Sequence, residues 1–137
     1  MPTEDAVETS VESPAELQAR KFQKELSAGL TSLVLLSVLA DATEDLYGYE
    51  IAKRLTAEPE VNAPFKQGAL YPVLRNMSAA GLLSSRVVPS YAGPPRRYYR
   101  ITQLGRDVLA AWTATWSATR EFVDAIVRRT ETQEISS

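Results

Sequence analysis

The stretch that decides the fold runs from Gln67 to Thr102: QGALYPVLRNMSAAGLLSSRVVPSYAGPPRRYYRIT. Leu70, Val73, Leu74 and Met77 recur at i, i+3, i+4 and i+7, the spacing of one helical face. Gly81 follows where a helix closes on a left-handed residue. The pattern predicts a helix over about 67–80. Pro72 should make it start late or bend, because an interior proline removes a backbone donor. Two short segments follow, about 83–89 and 97–102, rich in β-branched and aromatic residues. They flank Ser90-Tyr91-Ala92-Gly93-Pro94-Pro95, a turn marked by glycine and proline.

Toward the N-terminus, a helix is expected from about Tyr47 to Ala57, with Ile51 and Leu55 on one face, before a loop punctuated by Pro59 and Pro64. Ahead of it, Ser13-Pro14 looks like an N-cap followed by a first-turn proline, opening a long helix over about 15–42. Leu17, Phe22, Leu26, Leu30, Leu33 and Val34 recur mostly at helical steps. From Leu33 onward the pattern is apolar nearly all round, which predicts burial on all sides. Toward the C-terminus, Thr102 is placed to cap a last helix reaching about Arg129. Within it Leu109, Trp112, Trp116, Thr119, Val123 and Ile126 step by three and four, a short heptad seam.

The order is therefore helix, helix, helix, hairpin, helix: a mainly α chain with a small β-hairpin, the order of a winged helix-turn-helix domain (15–103) followed by a C-terminal helix (104–130). Residues 1–14 read as a disordered acidic tail and 131–137 as frayed. A small tri-helical core cannot bury the seam of the last helix, so that helix is expected to build a homodimer.

Composition narrows the function. The chain has 137 residues, the size of one domain, with no cysteine and no histidine. That removes disulfides, thiolate metal sites, cysteine nucleophiles and the commonest general base. No clustered carboxylates take their place, so neither an enzyme nor a bound cofactor or metal is expected. The acidic N-terminus is unlike a signal peptide, and the most apolar run, 30–40, is too short to span a bilayer; a cytoplasmic protein is the expectation. The net charge of −2 conceals a division. From Val61 to Arg106 there is no Asp or Glu, while Lys66, Arg75, Arg86, Arg96, Arg97, Arg100 and Arg106 all fall there. Such a stretch reads as a footprint for phosphate.

Three blocks resemble the PadR family of bacterial regulators. They are Tyr47-Gly48-Tyr49-Glu50-Ile51-Ala52-Lys53-Arg54-Leu55, then Gly68-Ala69-Leu70-Tyr71-Pro72-Val73-Leu74-Arg75 with Gly81-Leu82-Leu83, then Gly93-Pro94-Pro95-Arg96-Arg97-Tyr98-Tyr99-Arg100-Ile101-Thr102-Gln103-Leu104-Gly105. Their joint occurrence in this order covers about 30–116. Lys66, Gln67 and Ala69 depart from the family's usual small polar residues, proline and threonine, which changes what the recognition helix offers to bases. The resemblance implies a homodimeric binder of double-stranded DNA, usually a repressor, without catalysis. With a single C-terminal helix the chain is similar to the compact members. There the last helix packs with the partner's first helix, here Leu17 and Phe22 against Leu109, Trp112, Trp116, Val123 and Ile126, and planar aromatic effectors bind between subunits.

On the recognition helix, Lys66, Gln67, Tyr71, Arg75 and Asn76 are the candidates for DNA contact. Gln and Asn suit adenine, Arg suits guanine, and Tyr suits phosphate or the thymine methyl. The alternative is that Tyr71 packs under the wing and Arg75 only pairs with an acid. Arg96 and Arg97 at the hairpin suit the backbone or a narrow minor groove. Of Tyr98 and Tyr99, which alternate faces, one belongs to the core and the other does not. Glu50 and Arg54 suggest an ordinary helix pair. Trp112 and Trp116 share a face and serve either as dimer core or as walls for a planar ligand; the resemblance supports the ligand role at Trp116 only. Two-fold symmetry implies an inverted-repeat operator. A winged helix used purely for protein contact is the alternative reading, and the acid-free basic stretch weighs against it.

Overall fold

A computed structural model of the chain describes residues 11–55 and 67–136. Helix α1 (Pro14–Asp41) starts on the expected cap: Ser13 Oγ accepts from the Glu16 N–H at 3.1 Å, and Pro14 sits in the first turn, where no carbonyl needs its missing donor. The C-terminal half of α1 supplies Leu35, Leu36 and Leu39 to the core. The nearly continuous apolar pattern predicts burial on every side, but this half is not fully enclosed. Ser37 reaches solvent and turns its hydroxyl back to the Leu33 carbonyl at 2.7 Å.

After α1 come β1 (Leu46–Tyr47), α2 (Gly48–Leu55), α3 (Gln67–Ala79), β2 (Leu83–Val88), β3 (Arg96–Ile101) and α4 (Gln103–Ser136). The expected two-stranded hairpin is a three-stranded antiparallel sheet in the order β1-β3-β2. Strand β1 escapes a sequence reading because two residues carry no period. Its pairing of Leu46 with Tyr99 and Tyr47 with Tyr98 ties the start of α2 to the wing. Strands β2 and β3 pair from Leu83 opposite Ile101 to Val88 opposite Arg96. Alternation then settles the tyrosines: Tyr99 and Ile101 enter the core, and Tyr98 faces outward.

Helix α3 carries Pro72 within it rather than starting late, and buries Leu70, Leu74 and Met77. It ends on Gly81 at φ +82°, where Leu82 N donates to Met77 O at 2.9 Å and Gly81 N to Ser78 O at 3.1 Å. This is a Schellman closure, and it requires the left-handed residue that glycine supplies most readily. Thr102 joins this end to the next helix. Its Oγ1 accepts from Gly105 N at 3.0 Å, capping α4, and lies 2.7 Å from Gly81 O and 3.0 Å from Leu82 O as donor.

Helix α4 is helical through Ser136, beyond Thr130 where fraying is expected from the sequence. Leu109 and Trp112, both half-buried, pack against the chain's own core within the protomer. Further along, Phe122, Val123, Ile126 and Val127 are exposed, as are Phe22 and Leu26 on α1.

Candidate nucleic-acid interface

Three of the basic residues singled out in the sequence, Arg75, Arg96 and Arg97, converge because α3, the start of α2 and the hairpin meet at one edge of the domain. Tyr71 and Arg75 of α3 and Pro95, Arg96 and Arg97 of the wing line one cleft of about 350 Å³, together with Tyr47, Gly48, Tyr49 and Tyr99. Residues 71 and 75 are one helical turn apart and point the same way. Asn76 is exposed on α3 outside the cleft lining. Lys66 lies outside the described residues, and of Gln67 only the backbone is described.

Each cationic side chain has a distinct setting. Arg75 is exposed and has no ion-pair partner among the described residues, so the alternative of a mere surface pair finds no acid there. The Arg96 guanidinium lies 4.6 Å from the centre of the Tyr47 ring, a cation–π contact that orients it. Arg97 donates to Ser85 Oγ across the hairpin at 3.0 Å. Tyr71 packs against Gly48 while keeping about a third of its surface exposed, so packing and an outward-facing role coexist.

Three features of the site have little or no sequence signal. Tyr47 and Tyr49 stack with centroids 6.3 Å apart, and Tyr47 meets Tyr98 edge-on at 5.4 Å, which makes an aromatic wall beside the cations. Glu50 caps the start of α2 by accepting from Tyr47 N at 3.1 Å; the Glu50–Arg54 ion pair suggested by spacing is absent among the described residues. The acid-free stretch is also not free of acids in space. Asp45 accepts from Arg100 Nε at 2.6 Å and from Arg86 Nε at 3.0 Å. Arg100 first, then Arg86, hold the Asp45 carboxyl below the usual carboxylate range against an opposing desolvation.

A second concavity separates α1 from α4. It has a volume of about 550 Å³, and its walls include Leu26, Leu30 and Leu33 from α1 and Trp112 and Trp116 from α4, with Glu25 as its charged member. Both predicted tryptophans are half-buried, and both reach this cleft. Leu17 is half-buried, whereas Phe22, Val123 and Ile126 are exposed.

A tri-helical core, a cationic recognition helix and an arginine-bearing hairpin beside it define a winged helix-turn-helix DNA-binding domain. The model of the transcriptional regulator PadR-like family matches residues 35–111, more than half of the chain, and the protein belongs to that family. An uncharacterised protein of Lysinibacillus sphaericus is 28% identical over 102 residues, covering 74% of this chain and 91% of its own. The PadR family transcriptional regulator of Eggerthella lenta is similar in structure, with a TM-score of 0.60 and 28% identity over 93% of this chain and 96% of its own. A PadR family transcription regulator of Clostridium difficile gives a TM-score of 0.58 at 27% identity, covering 72% of this chain and 98% of its own. The chain is thus a transcriptional regulator. Among the described residues no helix is long and apolar enough to cross a membrane.

Proposed function

We propose that the protein is a cytoplasmic, homodimeric repressor that grips an inverted-repeat operator through two copies of α3 and the wing, and releases it when a small planar aromatic molecule binds beside Trp116. The observation that carries the DNA reading is the cleft where Tyr71, Arg75, Arg96 and Arg97 meet. Helix-borne groups reach base edges in a major groove while wing arginines contact the backbone, a division that gives register and specificity separately. The dimer reading is supported by Phe22, Val123 and Ile126, apolar side chains that stand exposed in the protomer.

The effector reading is supported by the tryptophan-walled cleft, whose volume falls within the range of small-molecule sites. A ligand there induces only if it binds better to a dimer whose recognition helices are mis-spaced for the operator. The test is a gel shift on the DNA upstream of the protein's own gene. Wild type should retard it, Arg75→Ala should lose base preference at a cost of about 1–3 kcal/mol, and an effector should release the complex. Failure to retain heparin or any duplex would favour a module for protein contact.

A further inference from the structure

Arg86 and Arg100 are the cations of the hairpin that the recognition cleft leaves out. Both sit on the outer face of the sheet: Arg100 directly follows Tyr99 and shares a face with Tyr98 and Arg96, and Arg86 pairs with Tyr98 across the strands. We infer that Arg86 and Arg100, held side by side by Asp45, form a second station for the phosphate backbone of duplex DNA, beyond the recognition cleft. The inference rests on the DNA-binding reading above.

The mode of attachment carries it. Asp45 takes each arginine through Nε, the inner nitrogen of the guanidinium. No other hydrogen bond among the described residues occupies their terminal nitrogens, so two forks face outward. A bridge serving only to staple the loop before β1 to the sheet would be satisfied by one arginine binding the carboxylate with both of its nitrogens. Here one carboxylate, 9% exposed, holds two side chains that are 60% and 70% exposed. One acid against two cations leaves a net positive charge in this hollow, and the adjoining one adds Glu44 and Arg106, whose charges offset each other. The Arg86 guanidinium also lies 5.1 Å from the centre of the Tyr98 ring, which limits its rotation further. Ser84 and Tyr98 add neutral polar groups around the same hollow.

The station is continuous with the cleft. Arg96 lies over Tyr47, Tyr47 meets Tyr98, and Tyr98 lies under Arg86. From Arg96 to Arg100 the strand advances roughly 13 Å, at about 3.3 Å per residue. That distance corresponds to about four base pairs of rise in B-form DNA. A duplex seated on Arg75 and Arg96 therefore extends its backbone past Arg86 and Arg100 with a few further base pairs.

The experiment is anisotropy of a fluorescein-labelled, mixed-sequence 30-base-pair duplex between 50 and 200 mM NaCl, which reads phosphate contacts without knowledge of the operator. Two lost contacts should lower the slope of log K against log salt by about 1.8, so Arg86→Gln/Arg100→Gln should be roughly twelvefold less salt-sensitive over that range than wild type. Arg86→Gln alone should lose about 0.9, and it settles the question if the double variant does not fold, because the Asp45–Arg100 bridge remains. Arg100→Lys, which keeps the charge, should keep the slope. An unchanged slope in the Arg→Gln variants, with a reduced slope in Arg96→Ala, overturns the second station and leaves the DNA reading standing. A wild type that binds no duplex at 50 mM NaCl takes down both.

Discussion

Tyr71 of the recognition helix closes against Gly48 at the start of α2: a Cβ on Gly48 would stand 2.5 Å from Tyr71 Cε1. The absence of a side chain at residue 48 thus sets where a recognition-helix tyrosine lies. Gly48→Ala should push the ring toward solvent, because the far end of a side chain yields more easily than backbone. The fold should survive, and affinity for DNA should fall by up to about tenfold, or 1.4 kcal/mol. Thermal melts alongside anisotropy separate the two effects. An unchanged affinity would mean that the ring position is irrelevant to binding.

Gly105 presents the opposite case, since what it abuts is backbone. A Cβ there would collide with the Leu82 carbonyl oxygen and lie 2.7 Å from Ile101 Cγ1. The carbonyl cannot swing aside without disturbing the hydrogen bonds that Thr102 N and Oγ1 make to it. Gly105→Ala should destabilise by about 3 kcal/mol, at the upper end of overpacking costs. Gly29 meets nothing within 4 Å, so Gly29→Ala should stabilise α1 by roughly 0.5–1 kcal/mol. Chemical denaturation of the two variants side by side checks both signs.

These glycines show where the sequence is legible and where it is not. The helical face of Leu70, Val73, Leu74 and Met77, the closing Gly81 and the capping Thr102 are local signals, written within a few residues of the structure they cause. The convergence of Tyr71, Arg75, Arg96 and Arg97 was legible because a winged fold brings that helix and that hairpin together. Asp45 was not, because 41 and 55 residues separate it from the arginines it holds. Strand β1 was too short to show a period. The division of labour within the α4 seam was hidden too: periodicity places Leu109 and Ile126 on one stripe, but only three dimensions show that Leu109 meets the chain's own core and Ile126 does not.

Asp45 also sets a pH dependence. Its folded carboxyl is held below its ordinary value, near 3.9 in an unfolded chain, by hydrogen bonds from Arg100 and Arg86. A depressed carboxyl contributes stability that is fully present above the unfolded value and is lost as pH falls through the folded one. Both arginines are largely exposed, so the contribution should be about 1 kcal/mol. Asp45→Asn should be less stable than wild type by that amount at neutral pH, and the difference should narrow progressively below about pH 3.9. Urea melts at pH 7, 4 and 2.5 check it; a constant difference would assign the effect to packing.

The exposed part of α4 gives a test of the proposed dimer that spares the protomer. Val123 and Ile126 are 48% and 43% exposed, so a carboxylate at either can reach solvent in the single chain. Val123→Glu and Ile126→Glu should keep the helical circular dichroism spectrum yet shift sedimentation from dimer toward monomer, since a desolvated, unpaired carboxylate is costly in an interface. A variant that remains dimeric would place the interface elsewhere.

The two tryptophans should separate by role, although they are four residues apart on one face. Trp112 packs against the buried core and also reaches the cleft; Trp116 reaches the cleft but is not part of that core packing. Trp112→Ala should therefore cost about 3 kcal/mol of stability, the low end for a large aromatic because the ring is only half-buried. Trp116→Ala should cost about 1 kcal/mol or less in the protomer. Ligand binding should follow the reverse order. A planar aromatic guest needs a flat face to stack on, and the ring free of core packing supplies it. Titrating planar dyes and phenolic acids against tryptophan fluorescence, the conservative Trp112→Phe should retain saturable quenching of its remaining indole. Trp116→Phe should bind more weakly, and Trp116→Ala should lose binding while staying folded. If Trp116→Ala instead dissociates the dimer, and no compound quenches the wild type, the cleft is closed by the partner subunit and the indoles are interface packing alone.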